Sequence, residues 1–240
     1  MTSVMTRPSA ATHTLSAMRL HTATLPQMLA WIAAILAAIF AVQFAIILAI
    51  SGTSEQMNSS SPIVLAIFLF VFGVQSFAQT LPFALSLGLT RRAFFASTML
   101  YGAALAFGLS LAAGVFALIE EATGGWGVDF IFFRVTTQIP AAPVAQWAMW
   151  PLVIFAGCVL GAFYGAVYQR WGTTGVWSVI LTLLIVLGSV TVVNIWQGWW
   201  PAIWDAITEL PLELIILGAP ALLALGAGLT AFVVARRSPV

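Results

Sequence analysis

Six apolar runs divide this chain, and its polar residues collect in the short stretches between them. Each run reaches the roughly 20 residues with which a helix crosses the hydrocarbon of a bilayer. The pattern therefore predicts spans at 31–50, 63–87, 94–119, 144–168, 176–195 and 212–235. Strands of a membrane barrel would instead show about ten residues of alternating polarity. The expected fold is an all-α integral membrane protein with six transmembrane helices.

The polar stretches complete this plan. Residues 1–25 read as a tail whose second half, 15–25, could lie as an amphipathic segment on the membrane surface. Residues 26–237 form the transmembrane domain and 238–240 a short end on the same side as the tail. A loop with Glu55 and Asn58 follows the first span, and the longest loop, 122–143, is too polar and too interrupted by Gly and Pro to cross. Residues 197–211, with Trp199, Trp200, Trp204, Asp205 and Glu209, are expected to lie at the interface or re-enter it between the last two spans. Trp147 and Trp150 at one end of the fourth span, with Tyr164, Tyr168 and Trp171 near the other, suit interfacial aromatic belts.

Composition sharpens the picture. The chain is 62% hydrophobic and 6% charged and has no lysine, far from the quarter or so of charged residues in soluble domains. With six spans, Arg7, Arg19, Arg91, Arg92, Arg170, Arg236 and Arg237 fall on the side of the termini. Glu55, Glu120, Glu121, Asp129, Asp205, Glu209 and Glu213 fall on the other, and Arg134 alone breaks the separation. Positive residues favour the cytoplasmic face, so both termini are expected there.

Several chemistries are excluded by what is missing. Without lysine there is no phosphate-binding loop of Walker type. His13 and His21 both sit in the tail, which removes a histidine triad and an HExxH zinc site from the spans. Cys158, the single cysteine, lies in an apolar run and is read as packing. No side chain of this chain is expected to hold a cofactor or metal, and no nucleic-acid partner is expected. Ion-coupled transport usually needs an ionisable group inside the membrane, and the spans have none away from their ends.

Two polar or small-residue patterns remain. Gln75 and Gln79, and Ser76 and Thr80, are pairs four apart that form a polar stripe on the second span. Such a stripe either glues helices together or lines a translocation path. Gly157, Gly161 and Gly165 form a GxxxGxxxG ladder that lets another helix approach closely, from this chain or from a second copy. The Gly124-Gly125-Trp126-Gly127 turn is expected to lead into an aromatic segment, Phe130 to Phe133, resting on the outer leaflet.

The second and third spans are joined by Gly88-Leu89-Thr90-Arg91-Arg92-Ala93-Phe94-Phe95. Adjacent arginines buried in lipid would cost several kcal/mol each, on the order given for charged residues at mid-bilayer, so this elbow belongs at a membrane surface. Together with the preceding Pro82 to Leu87 and with Glu120-Glu121-Ala122-Thr123-Gly124-Gly125-Trp126-Gly127 after the third span, it resembles the small six-helix permease subunits of ABC-2 type exporters of high-GC bacteria. The resemblance extends over most of the chain. It implies a bacterial cytoplasmic-membrane protein, dimeric with a second copy or a homologous permease. A separate ABC ATP-binding subunit would bind ATP and Mg and dock on the elbow. Gly88, Leu89, Thr90, Arg91 and Arg92 would meet that subunit, with Phe94 and Phe95 fixing the elbow to the membrane, and the chain would export an amphipathic or hydrophobic compound without being an enzyme itself. The rival expectation is a non-transporting membrane scaffold or immunity-type protein that binds a partner through the same elbow. A passive channel needs a longer polar lining than the stripe on the second span offers.

Overall fold

The computed structural model describes residues 25–50, 61–134 and 139–236. The tail up to residue 24 with its amphipathic reading and both histidines, the loop with Glu55 and Asn58, and Arg237 lie outside the described residues.

The described chain is helical and, among those residues, has no strand. Helix α1 is Leu25–Ile50. Helix α2, Ser61–Gln75, runs through a π-helical turn, Ser76–Thr80, into α3, Leu81–Ser86. Helix α4 is Arg91–Ala122, α5 is Pro143–Gln197, α6 is Trp200–Thr208 and α7 is Leu212–Arg236.

Five helices among the described residues are long and apolar enough to cross a membrane, where the pattern predicts six. The difference lies in α5, whose 55 residues join the spans expected at 144–168 and 176–195. It is not straight. Gly172 adopts φ 63 and ψ −156 in its middle, and a Cβ built on Gly175 would lie 3.4 Å from the Val167 side chain. Residues eight apart in a straight helix are separated by about 12 Å. The chain therefore bends sharply at Gly172, and α5 has two limbs.

Other boundaries shift by one turn or two. Helix α1 already includes Leu25, six residues before the span predicted from residue 31. Helix α4 takes in both arginines because Thr90 caps it.

The packing centre is α2 against the first limb of α5. Cβ atoms built on Gly157 and Gly161 would strike the carbonyl oxygens of Ala66 and Phe70, and one on Gly165 would lie 2.7 Å from that of Val74. Gly73 returns the contact against Cys158 and Ala162. The glycine ladder thus finds its partner within this chain, backbone against backbone, as small residues permit where lipid supplies no hydrophobic drive between helices. Leu65, Leu69, Ile154 and Cys158 fill the adjoining core with Ile32 of α1. A second cluster, Phe77, Leu81, Ala84, Phe94, Ala162, Ala166 and Ala235, closes the end of the bundle where α3, α4 and α7 meet.

The second limb of α5 differs. The most apolar stretch of α5 has no buried residue, and Leu184 and Ile185 are 65% and 64% exposed.

Candidate functional site: the elbow and the polar cleft beside it

The elbow is a tightly specified turn. Gly88, at φ 82, lies in the left-handed region that glycine enters without steric cost. Leu89 N–H donates to Ala84 O at 3.1 Å and Gly88 N–H to Leu85 O at 3.0 Å, the paired bonds of a Schellman ending. Leu89 then packs on the second core cluster. Two residues on, Thr90 Oγ1 accepts from Ala93 N–H at 3.2 Å and starts α4.

The two arginines have different work. Arg91 Nη1 donates to Ala235 O at 2.8 Å, satisfying a carbonyl in the last turn of α7. A cation at a helix C-terminus also meets the negative end of its dipole. Arg91, expected to face a soluble partner, is thus engaged inside the chain, and Arg92 is the exposed member of the pair. The phenylalanines also turn inward. Phe94 is fully buried and meets Phe77 edge to face at 5.7 Å, while Phe95 contacts Phe77 at 5.8 Å and Phe232 of α7 at 5.2 Å. They fix the elbow to the π-helical turn and to α7, where the sequence suggested attachment to the membrane.

The stripe of Gln75, Ser76, Gln79 and Thr80 lies at the π-helical turn, in which Leu81 N–H donates to Ser76 O, five residues back. Pro82 stands in the first turn of α3, and the wider turn before it absorbs the irregularity. All four stripe residues line one wall of a cleft of about 500 Å³. Gln27 and Trp31 of α1 stand on the other wall, with Phe68 and Phe72 between. No ionisable side chain lines this space. Its polar groups are amides and hydroxyls, able to donate and accept, beside aromatic faces. The sequence reading missed Gln27 and Trp31. Their spacing of four, which puts them on one helix face, was the available signal.

The opposite end of the bundle holds a second unforeseen group. Glu120, counted from sequence among outward-facing acids, is completely buried at the end of α4. Its Oε2 accepts from Trp126 Nε1 at 3.1 Å, Phe132 N–H at 3.1 Å and Phe133 N–H at 2.9 Å, and Oε1 from Arg134 N–H at 3.2 Å. The chain reaches these positions through Gly124, Gly125, Trp126 and Gly127, all at positive φ. For Trp126, at φ 60, that conformation carries strain. Its ring bond to Glu120 and its edge contact with Phe40 at 5.0 Å hold it there. Phe130, Ile131 and Phe132 are buried against the bundle, so the aromatic segment expected on the outer leaflet is instead part of the core. Arg134, the outlier of the charge pattern, lies 3.7 Å from Glu121.

Trp199, Trp200 and Trp204 are exposed at and within the nine-residue α6, which is too short to span. They do not approach the cleft or the elbow as lining residues. Among the described residues no group of His, Cys, Asp and Glu could hold a metal ion. No family model matches the chain, and no curated protein and no solved structure matches it either.

Proposed function

We propose that this chain is the membrane-spanning permease subunit of an ABC-2 type exporter, working with a separate subunit that binds and hydrolyses ATP with Mg. In this reading it crosses a bacterial cytoplasmic membrane six times with both termini inside, pairs with a second permease chain and moves an amphipathic or hydrophobic compound. The bend at Gly172 supports counting α5 as two crossings.

One observation carries the reading: the elbow is closed by its own hydrogen bonds, presents Arg92 outward and is joined at once to α7 and to the π-helical turn. A loop serving only to reverse the chain needs none of those attachments. A soluble subunit that pushes on Leu87, Gly88 and Arg92 would move α3 and α4 directly and α7 through Arg91 and Phe95. The cleft begins one short helix away from the point pushed, at Thr80. Its amides, hydroxyls and rings suit a compound with both polar and apolar parts.

The test is to crosslink the tagged chain in its native membrane, extract it and identify what co-purifies in stoichiometric amount. A Walker-type ATPase is the expected result. If crosslinked material contains no ATPase but another protein, the permease reading falls and the elbow belongs to a scaffold.

A further inference from the structure

The exporter reading makes no use of Glu120. Its four hydrogen bonds do more than bury a carboxylate, because they fix two side chains that bound an empty space. Trp126, held by its ring N–H, and Phe133, held by its backbone N–H, both line a slot of about 460 Å³ between α1 and α4. Ala33 and Ala37 of α1 face Ala112 and Ala113 of α4 across it, four methyl side chains where larger ones would fill the gap. Every lining side chain is apolar or aromatic.

The shape restricts the occupant. The slot follows α1 from Leu29 to Phe40, about 16 Å at the helical rise. A helix about 10 Å across fills about 1,250 Å³ over that length, more than the slot holds, so neither a second copy nor any other helical partner lies wholly within it. Zigzag carbon–carbon bonds of about 1.5 Å make 16 Å the length of roughly a dozen methylenes. Ala33, Ala37 and Ala112 are exposed along the side, so a chain can slip in from the surrounding hydrocarbon without crossing a polar barrier. Left empty, the slot would forfeit dispersion contacts along its whole length.

We propose that this slot holds one lipid acyl chain, and that Glu120 is the positioning residue that sets where the slot ends. The carboxylate fixes Trp126 and Phe133, and the rings stop the chain at the end of the bundle away from the elbow. The proposal requires the chain to lie in a bilayer but not that it be an exporter.

The experiment places the full chain in phosphatidylcholine nanodiscs doped with a phosphatidylcholine carrying a diazirine at mid-chain, and maps photo-crosslinks by peptide mass spectrometry. Slot-facing segments of α1 and α4 should be labelled at least fivefold more than the second limb of α5 around Leu184 and Ile185. Ala37→Trp, which fills the slot, should remove that excess and leave α5 labelling unchanged. Glu120→Gln replaces an acceptor oxygen with an amide nitrogen that faces N–H donors, and should move crosslinks onto residues 126–133 at unchanged helix content. Should Glu120→Gln fail to insert, Trp126→Phe, which removes only the ring donor, asks the same question. Slot labelling no greater than that of α5, or unchanged in Ala37→Trp, overturns the lipid site. An unchanged crosslink map in the Glu120 or Trp126 variant overturns the positioning role. An absent ATPase partner affects neither outcome.

Discussion

The two ends of the bundle treat the charged side chains beside their turns in opposite ways. At the elbow the chain satisfies its backbone locally, through the Gly88 ending and the Thr90 cap, and leaves Arg92 exposed. At the other end it draws Glu120 fully inside and spends the carboxylate on four N–H groups up to 14 residues away. Local closure leaves a charged surface free to meet another molecule. Burying the carboxylate gives up that surface and gains a fixed wall of aromatic side chains.

The comparison breaks most severely at Glu120. Glu120→Ala orphans four donors, three of them backbone N–H groups, at about 1–3 kcal/mol each. That is comparable to a whole stability margin of about 5–15 kcal/mol. Thermal unfolding in detergent should show no cooperative transition for this variant, and a transition near the parent's would refute the Glu120 hydrogen bonds as a determinant of stability.

Gly161→Ala tests the packing that both ends rest on. The added methyl meets the Phe70 carbonyl oxygen, and a backbone contact cannot retreat as a side chain can, so the loss should be about 1–3 kcal/mol. The same measurement checks it, with Gly188→Ala as control, since nothing stands near a Cβ there.

Arg91→Ala should cost a similar amount, about 1.5–3 kcal/mol, as a charged hydrogen bond to Ala235 O is lost. Arg91→Lys should recover part of that loss, because an ammonium can donate to the same carbonyl. Arg92→Ala is the sharpest contrast. Its effect on stability should stay within about 0.5 kcal/mol, as for surface sites with no special role, while co-purification of an ATPase falls away. Equal behaviour of the two arginine variants in both measurements would erase the distinction drawn here.

Much of this contrast was legible in the residues and some was not. The elbow could be placed from the arginine pair between two uncharged apolar runs, because that contrast lies within a few residues. Which arginine faced outward could not, since Arg91 finds its acceptor 144 residues away. The polar stripe was visible from its spacing of four, but its opposing wall on α1 was not, because nothing local ties Gln27 to Gln79. Glu120 was misread for a similar reason. Hydropathy places an acid at a helix end in water, whereas here the following glycine turn folds the chain back and supplies the hydrogen bonds that water would have made.

By itself the sequence determined that the described chain is helical, that it has helices long and apolar enough for a bilayer, and that a short turn joins the second to the third span. Those properties follow from hydropathy, glycine conformation and capping, all of which act within a few residues. Tertiary structure alone decided that the glycine ladder meets α2 of the same chain, that the span expected at 176–195 continues α5 beyond a bend, and that Phe94 and Phe130 to Phe133 are core. Each of these depends on which distant surface is near enough to offer a hydrogen-bond partner or a close-packed face, and that proximity exists only once the helices have assembled.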